Sequence, residues 1–199
     1  MAYLEVITGP MFSGKSEELI RLLRRERIAK KKILVIKPAG DTRTAQEVAA
    51  RTKDMESDIF KKSASFPAQP VGSKDEVLEL LNAEAYDVLG LDEAQFFDYW
   101  LLDLIKELKL DGTKADLRII VTGLDLDAWG RTFGTMGDLM ALANSVQKLT
   151  AICFVCGKDA MYTQKIGGSK KQIEVGDTDI YEARCERCFE PVGLIPNPK

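Results

Sequence analysis

Histidine is absent from this chain of 199 residues. Imidazole is therefore excluded as general base, metal ligand or pH switch, and carboxylates and cysteines must carry any such chemistry. Long apolar runs are missing too: none approaches the ~18–20 residues that a bilayer-crossing helix needs. The N-terminus, MAYLEVITG, has neither the charged n-region nor the long apolar h-region of a signal peptide, so the cytoplasm is the expected compartment, with no membrane partner. Cysteine is scarce, and four residues in a reducing compartment are read as thiols or metal ligands rather than disulfides. Nor is there an excess of positive charge: the formal net charge of −3 speaks against non-specific nucleic-acid binding. What remains is the composition of an ordinary globular protein, long enough for one full core and a small appendage.

Four short apolar runs read as buried strands: Tyr3–Thr8, Ile33–Lys37, Asp87–Asp92 and Arg118–Gly123. Helical patterns lie between and after them, over Ser16–Lys31, Lys74–Ala85, Tyr99–Leu110 and Gly137–Asn144. Strands alternating with helices predict a parallel α/β sheet covered on both faces. Gln147–Cys153 is expected to add a fifth strand. The polar segment Gly40–Ser73, with Pro67 and Pro70, reads as a long connection holding one short strand near Ile59–Lys61. Regular alternation stops at Cys153. The division predicted is an α/β domain over residues 1–150 and a small second domain over 151–199.

The first strand runs into TGPMFSGKS, and Gly9-x-x-x-x-Gly14-Lys15-Ser16 matches the phosphate-binding loop pattern. Glycines let such a loop turn successive N–H groups inward on an anion, and the following helix adds the positive end of its dipole. In that pattern Lys15 reaches the β- and γ-phosphates of a nucleotide and the Ser16 hydroxyl binds Mg²⁺. The basic run RLLRRERIAKKK has a plainer reading: Leu19, Ile20 and Leu23 face inward, and the charges form a solvated helix face.

A second acidic feature ends the third strand, where YDVLGLDEAQFF places Asp92 and Glu93. In parallel sheets the carboxyl ends of strands line the ligand crevice, so Asp92 is expected to complete the Mg²⁺ shell. Glu93 has two active readings, orienting a water for ATP hydrolysis or accepting the proton of a substrate hydroxyl. Pattern alone does not choose between them. A carboxylate that merely starts the next helical turn is the structural alternative.

Cys153-x-x-Cys156 and Cys185-x-x-Cys188 are two C-x₂-C pairs flanking residues 157–184. Each pair fits one tight turn, and two turns complete a tetrahedron around Zn²⁺. Four protein ligands leave no open position, so such a metal is structural, and it would pin both ends of a loop shaped over a substrate.

Taken together, TGPMFSGKS, KPAGDTR, GLDEAQFFD, TFG, KLTAIC with CFVCG, and YEARC resemble the zinc-containing, cytosolic type of the thymidine kinase family, from about Leu4 to Cys188. The resemblance implies a P-loop NTPase-type (RecA-like) fold with a zinc-binding domain carrying a lasso loop. It implies transfer of the γ-phosphoryl of ATP to the 5′-hydroxyl of thymidine or deoxyuridine, in a homotetramer inhibited by dTTP. Residue by residue, it assigns ATP to Gly9, Pro10, Met11, Phe12, Ser13, Gly14, Lys15 and Ser16, and to Asp92, Glu93, Ala94 and Gln95. Catalysis falls to Glu93 as base, with Lys15 and Arg43, and Mg²⁺ to Ser16 and Asp92. The nucleoside falls to Met11, Phe96, Trp129, Phe133, Thr163 and Tyr181, and to the backbone of Ile173, Glu174, Val175 and Gly176. Zinc falls to Cys153, Cys156, Cys185 and Cys188.

Three departures stand out. Gly176-Asp177 replaces a Gly-Gly in the lasso, Ala128 stands where an aromatic is usual with Trp129 one position on, and Thr132-Phe133-Gly134 replaces Pro-Phe-Gly. Two other readings compete with the kinase. A RecA-like, zinc-containing ATPase acting on nucleic acid predicts DNA- or RNA-stimulated hydrolysis, against which the acidic balance counts. A non-catalytic nucleotide-binding regulator requires lost catalytic residues, yet Lys15, Ser16, Asp92 and Glu93 are all present.

Overall fold

Six parallel strands make the central sheet, in the order β5-β2-β6-β7-β1-β8. They are β1 (Tyr3–Thr8), β2 (Ile33–Pro38), β5 (Gln69–Val71), β6 (Val88–Leu91), β7 (Arg118–Gly123) and β8 (Ser145–Lys148). The structure is a computed structural model that describes residues 1–40, 46–49, 65–110, 112–167 and 180–191. Register aligns the carboxyl ends of the strands along one rim: Thr8 lies beside Gly123 and Lys148, and Leu91 beside Val121.

Alternate side chains of each strand face opposite layers, which is why these strands read as unbroken apolar runs. On one face Ile7, Val35, Val88 and Ile120 pack against Leu19, Ile20 and Leu23 of α1 (Lys15–Ile28). Leu4, Val6, Leu34, Ile36, Leu89, Leu91, Ile119 and Val121 fill the other face. They meet α2 (Lys74–Ala83), α3 (Trp100–Leu110) and α4 (Met136–Leu142) through Val77, Leu81, Leu101, Leu104, Ile105, Leu108, Met136 and Leu139. Each such buried side chain contributes roughly 2 kcal/mol of transfer free energy. The start of α2 carries a local signal as well: Ser73 Oγ accepts from Glu76 N at 3.3 Å, while the Glu76 carboxylate accepts from Gly72 N at 2.8 Å. No helix among the described residues is long and apolar enough to cross a membrane.

Two expectations need correction. The connection after β2 holds more strand than predicted: β3 (Glu47–Ala49) and β4 (Ser65–Pro67) pair antiparallel, and β5 adds a parallel edge to the main sheet. Val48 and Phe66 of that pair are buried on α1. Pro70 sits in β5 because an edge strand can spare the N–H that proline lacks. The strand expected near Ile59–Lys61 lies outside the described residues.

Gln147–Cys153, predicted as one strand, is two. Leu149 N donates to Thr8 O at 2.8 Å and closes the pairing of β8. The chain then turns, and β9 (Ala151–Ile152) pairs antiparallel with β10 (Asp159–Ala160). The antiparallel β11 (Tyr162–Lys165) and β12 (Tyr181–Arg184) follow. A small core of Ala151, Cys153, Ala160, Ala183 and Cys185 ties β9, β10 and β12 together, β11 being attached by its pairing with β12, and Phe12 of the first loop packs against that core.

Candidate active site

Between β1 and α1 the loop departs from ordinary backbone. Gly9 has φ 141° and Gly14 φ 83°, values that L side chains rarely adopt. A Cβ on Gly9 would also stand 2.3 Å from Leu149 O, so the loop lies hard against the chain leaving β8. Phe12, at φ 65°, is a non-glycine residue in the left-handed region, and its ring packs 6.0 Å from that of Phe154. Pro10 O accepts from Lys15 Nζ at 2.6 Å and from Ser13 Oγ at 2.8 Å. The lysine therefore lies folded over its own loop, and Ser16 occupies the first turn of α1 beside it.

Asp92 follows β6 directly and is buried. Thr122 on β7 has its hydroxyl 2.6 Å from Asp92 Oδ1, to which it donates, and 3.1 Å from Leu91 O. Burial first, then the neighbouring Glu93 carboxylate, push Asp92 up to about 6. The Thr122 hydroxyl, the Glu93 N–H and the Lys15 ammonium oppose that rise. Lys15 and Asp92 are near enough to interact electrostatically, since the strands that carry them end on one rim. Oxygen donors at Ser16 and Asp92 suit a hard cation such as Mg²⁺.

Glu93 occupies the left-handed region itself, at φ 53° and ψ 44°, a conformation that typically costs a residue with a side chain roughly 1–3 kcal/mol. A 3₁₀ turn over Ala94–Phe96 follows. Glu93 Oε2 accepts from Gln95 Nε2 at 2.6 Å, and Gln95 Oε1 accepts from Leu124 N at 2.9 Å. Phe96 at the end of that turn meets Phe133 edge to face, at 5.6 Å between ring centres.

The described residues predicted for the nucleoside lie on the first loop, in the stretches after β6 and β7, and on β11 and β12. Met11 N donates to Thr163 Oγ1 at 3.0 Å, joining the first loop to β11. Trp129 sits in a turn held by Asp127, whose Oδ1 accepts from Trp129 N at 2.9 Å and Arg131 N at 3.0 Å. That turn leans on the stacked pair Tyr162 and Phe189 through Gly130. Tyr181 is buried at the start of β12, with Lys165 Nζ 5.9 Å from its ring centre. Arg43 and the stretch Ile173, Glu174, Val175 and Gly176, with Asp177, lie outside the described residues.

Thr122, Leu124, Asp125 and Lys148 were not anticipated. Lys148 Nζ pairs with Asp125 Oδ2 at 2.6 Å across the end of β1, and the buried Asp125 Oδ1 accepts no hydrogen bond from the described residues. A polar residue closing an apolar strand, as Thr122 does in RIIVTG, was the available signal.

The four cysteine sulfurs lie within 4.8 Å of one another, Cys156 and Cys185 at 3.6 Å. Sulfurs bound at ~2.3 Å to one tetrahedral ion stand about 3.8 Å apart, so the spacing fits a Cys₄ metal site. Both turns are braced by backbone bonds, from Gly157 N to Cys153 O at 2.9 Å and from Cys188 N to Cys185 O at 3.0 Å. Burial raises the Cys153 thiol, but N–H groups of Cys185, Cys156 and Val155 outweigh it and bring it down to about 6. Hydrogen bonding to Cys185 leads the causes that push Cys188 up to about 12.

Against known proteins, the family model described as thymidine kinase matches residues 2–189. A thymidine kinase of Rhodothermus sp. (strain ITI 518) is 42% identical over 192 residues, covering 96% of this chain and 83% of the relative. A thymidine kinase of Bacteroides thetaiotaomicron is 40% identical over 186 residues, covering 94% and 86%.

Proposed function

Because the chain belongs to the thymidine kinase family, we propose that it transfers the γ-phosphoryl group of ATP to the 5′-hydroxyl of thymidine or deoxyuridine, giving dTMP from thymidine. The observation that carries this reading is the convergence of Lys15, Asp92 and Glu93 on one rim of the sheet, beside the Met11–Thr163 contact. A nucleotide phosphate site and an acceptor-facing carboxylate are then neighbours.

In the reaction, the acceptor O5′–Pγ bond forms as the bond from Pγ to the β-phosphate bridging oxygen breaks, and ADP leaves. Glu93 takes the 5′-hydroxyl proton. The N–H groups of Gly9–Ser16 cradle the donor phosphates, and Lys15 exchanges the Pro10 carbonyl for phosphate oxygens. Arg43 offsets charge on the group in transfer. Ser16 and Asp92 would hold Mg²⁺, which when bound would offset charge on the phosphates. Ala94 belongs to the ATP-side stretch, and Phe96, Phe133, Trp129, Met11, Thr163 and Tyr181 surround the nucleoside. Ile173 to Gly176 read the base with backbone groups, which suits an edge offering one N–H and two carbonyls.

Cys153, Cys156, Cys185 and Cys188 hold a structural Zn²⁺, supported by the sulfur spacing. This divides the chain into a kinase domain over 1–150 and a zinc domain with lasso loop over 151–199. Family membership further supports a cytoplasmic homotetramer with dTTP as feedback inhibitor.

The test is transfer of γ-labelled phosphate to thymidine, deoxyuridine, deoxycytidine, deoxyguanosine and single-stranded DNA. Label on thymidine and deoxyuridine alone is the expected result. Free phosphate released only with DNA would replace this reading by the nucleic-acid ATPase.

A further inference from the structure

The amide of Gln95 is placed to aim a carboxylate rather than to meet a ligand. Its side chain is buried, 3% exposed, and both polar ends are engaged inside the protein. Leu124 N–H can only donate, so the amide oxygen must face it, and the NH₂ group is thereby turned onto Glu93. The anchor is firm because Leu124 immediately follows β7, in the middle of the sheet.

Two glycines approach Gln95 closely. A Cβ on Gly123 would stand 2.7 Å from Gln95 Oε1, and one on Gly134 would stand 2.4 Å from Gln95 O. Thr135 Oγ1 donates to Ala94 O at 3.3 Å and holds the same turn from above. Three separated stretches of sequence, DEAQ, TGL and TFGT, thus close around one amide.

We propose that Gln95 is a positioning residue for Glu93, holding its carboxylate toward the acceptor hydroxyl through the Nε2–Oε2 bond. Glu93 sits on left-handed backbone, so its side-chain direction needs a partner of fixed orientation. Gln95 supplies one referenced to the sheet. The inference rests on the reading of Glu93 as base.

The experiment is a double-mutant cycle on the full chain, reading kcat and KM for thymidine and ATP, with ATP binding measured at equilibrium. Gln95→Met keeps volume and loses both hydrogen bonds. Gln95→Glu keeps the shape and an acceptor for Leu124 but loses the donor, and serves if the methionine variant does not fold. Each is expected to lower kcat at least ~10-fold, the scale of one hydrogen bond to a charged group, with ATP affinity within about 2-fold of the unsubstituted chain. In a Glu93→Gln background the same substitution is expected to cost less than about 2-fold, because the group it aims is gone.

A full repeat of the loss in that background, an unchanged kcat, or a matching loss of ATP affinity would overturn the proposal and leave the kinase reading standing. Full turnover by Glu93→Gln alone, or no transfer to thymidine by the unsubstituted chain, would overturn the site reading and this inference with it.

Discussion

Asp92 and Glu93 are adjacent carboxylates in different surroundings. Asp92 is buried under the sheet rim, while Glu93 is half-buried on a left-handed turn. Replacing Glu93 by Gln is expected to cut turnover at least ~10²-fold with ATP binding nearly intact, measured by labelled phosphoryl transfer and equilibrium binding. Near-normal turnover would remove Glu93 from the base role. Asp92 makes a prediction about stability. Its folded value, about 6, lies above the ordinary 3.8, so the ionised form is disfavoured by folding. The contribution is therefore fully present below about pH 4 and is lost as pH rises through about 6. In magnesium-free buffer, Asp92→Asn should be more stable than the unsubstituted chain near pH 7, and that gain should vanish toward pH 4. Thermal melts across this range check the sign.

At the scale of elements, the site depends on turns that hold strand ends close together. Gly134 has φ 52° and lies against Gln95 O, so both backbone and space oppose a side chain there. Gly134→Ala is expected to destabilise the fold by about 1–3 kcal/mol, read by denaturant unfolding. The cysteine turns hold β9 to β12, and β11 in turn touches the first loop through Thr163 and Met11. Cys156→Ser, or removal of zinc by chelation, should therefore lower the melting temperature and raise KM for thymidine by a larger factor than KM for ATP. An equal effect on the two substrates would mean that the metal supports only the global fold.

For the whole molecule, the sheet brings Lys15 and the Asp92–Glu93 pair to one rim while helices close both faces. Ligands of that rim should stabilise the chain by mass action: about 2.7 kcal/mol at one hundred times the dissociation constant. Mg·ATP, thymidine and dTTP are each expected to raise the melting temperature, and single-stranded DNA is expected not to. A shift with DNA and none with thymidine would favour the nucleic-acid ATPase.

Much of this architecture was legible in the sequence because local rules act on contiguous residues. Apolar runs bounded by polar residues named β1, β2, β6 and β7, and the glycine-lysine pattern named the first loop. The paired C-x₂-C turns likewise named a thiol cluster that the fold assembles. Where the sequence misled, the deciding partner was distant. Val48 and Phe66 form strands only because they find α1, and Gln147–Cys153 splits because Leu149 completes one sheet while Ala151 joins another. Gln95 is the sharpest case. Its neighbours in the chain suggest a nucleotide, whereas the N–H of Leu124, brought beside it by β7, fixes which end of the amide faces Glu93. Which side chains stand on the first loop and at the end of β6 was set by the sequence; the direction in which Gln95 and Asp92 point was set by hydrogen bonds to Leu124 and Thr122, which only the folded sheet makes neighbours.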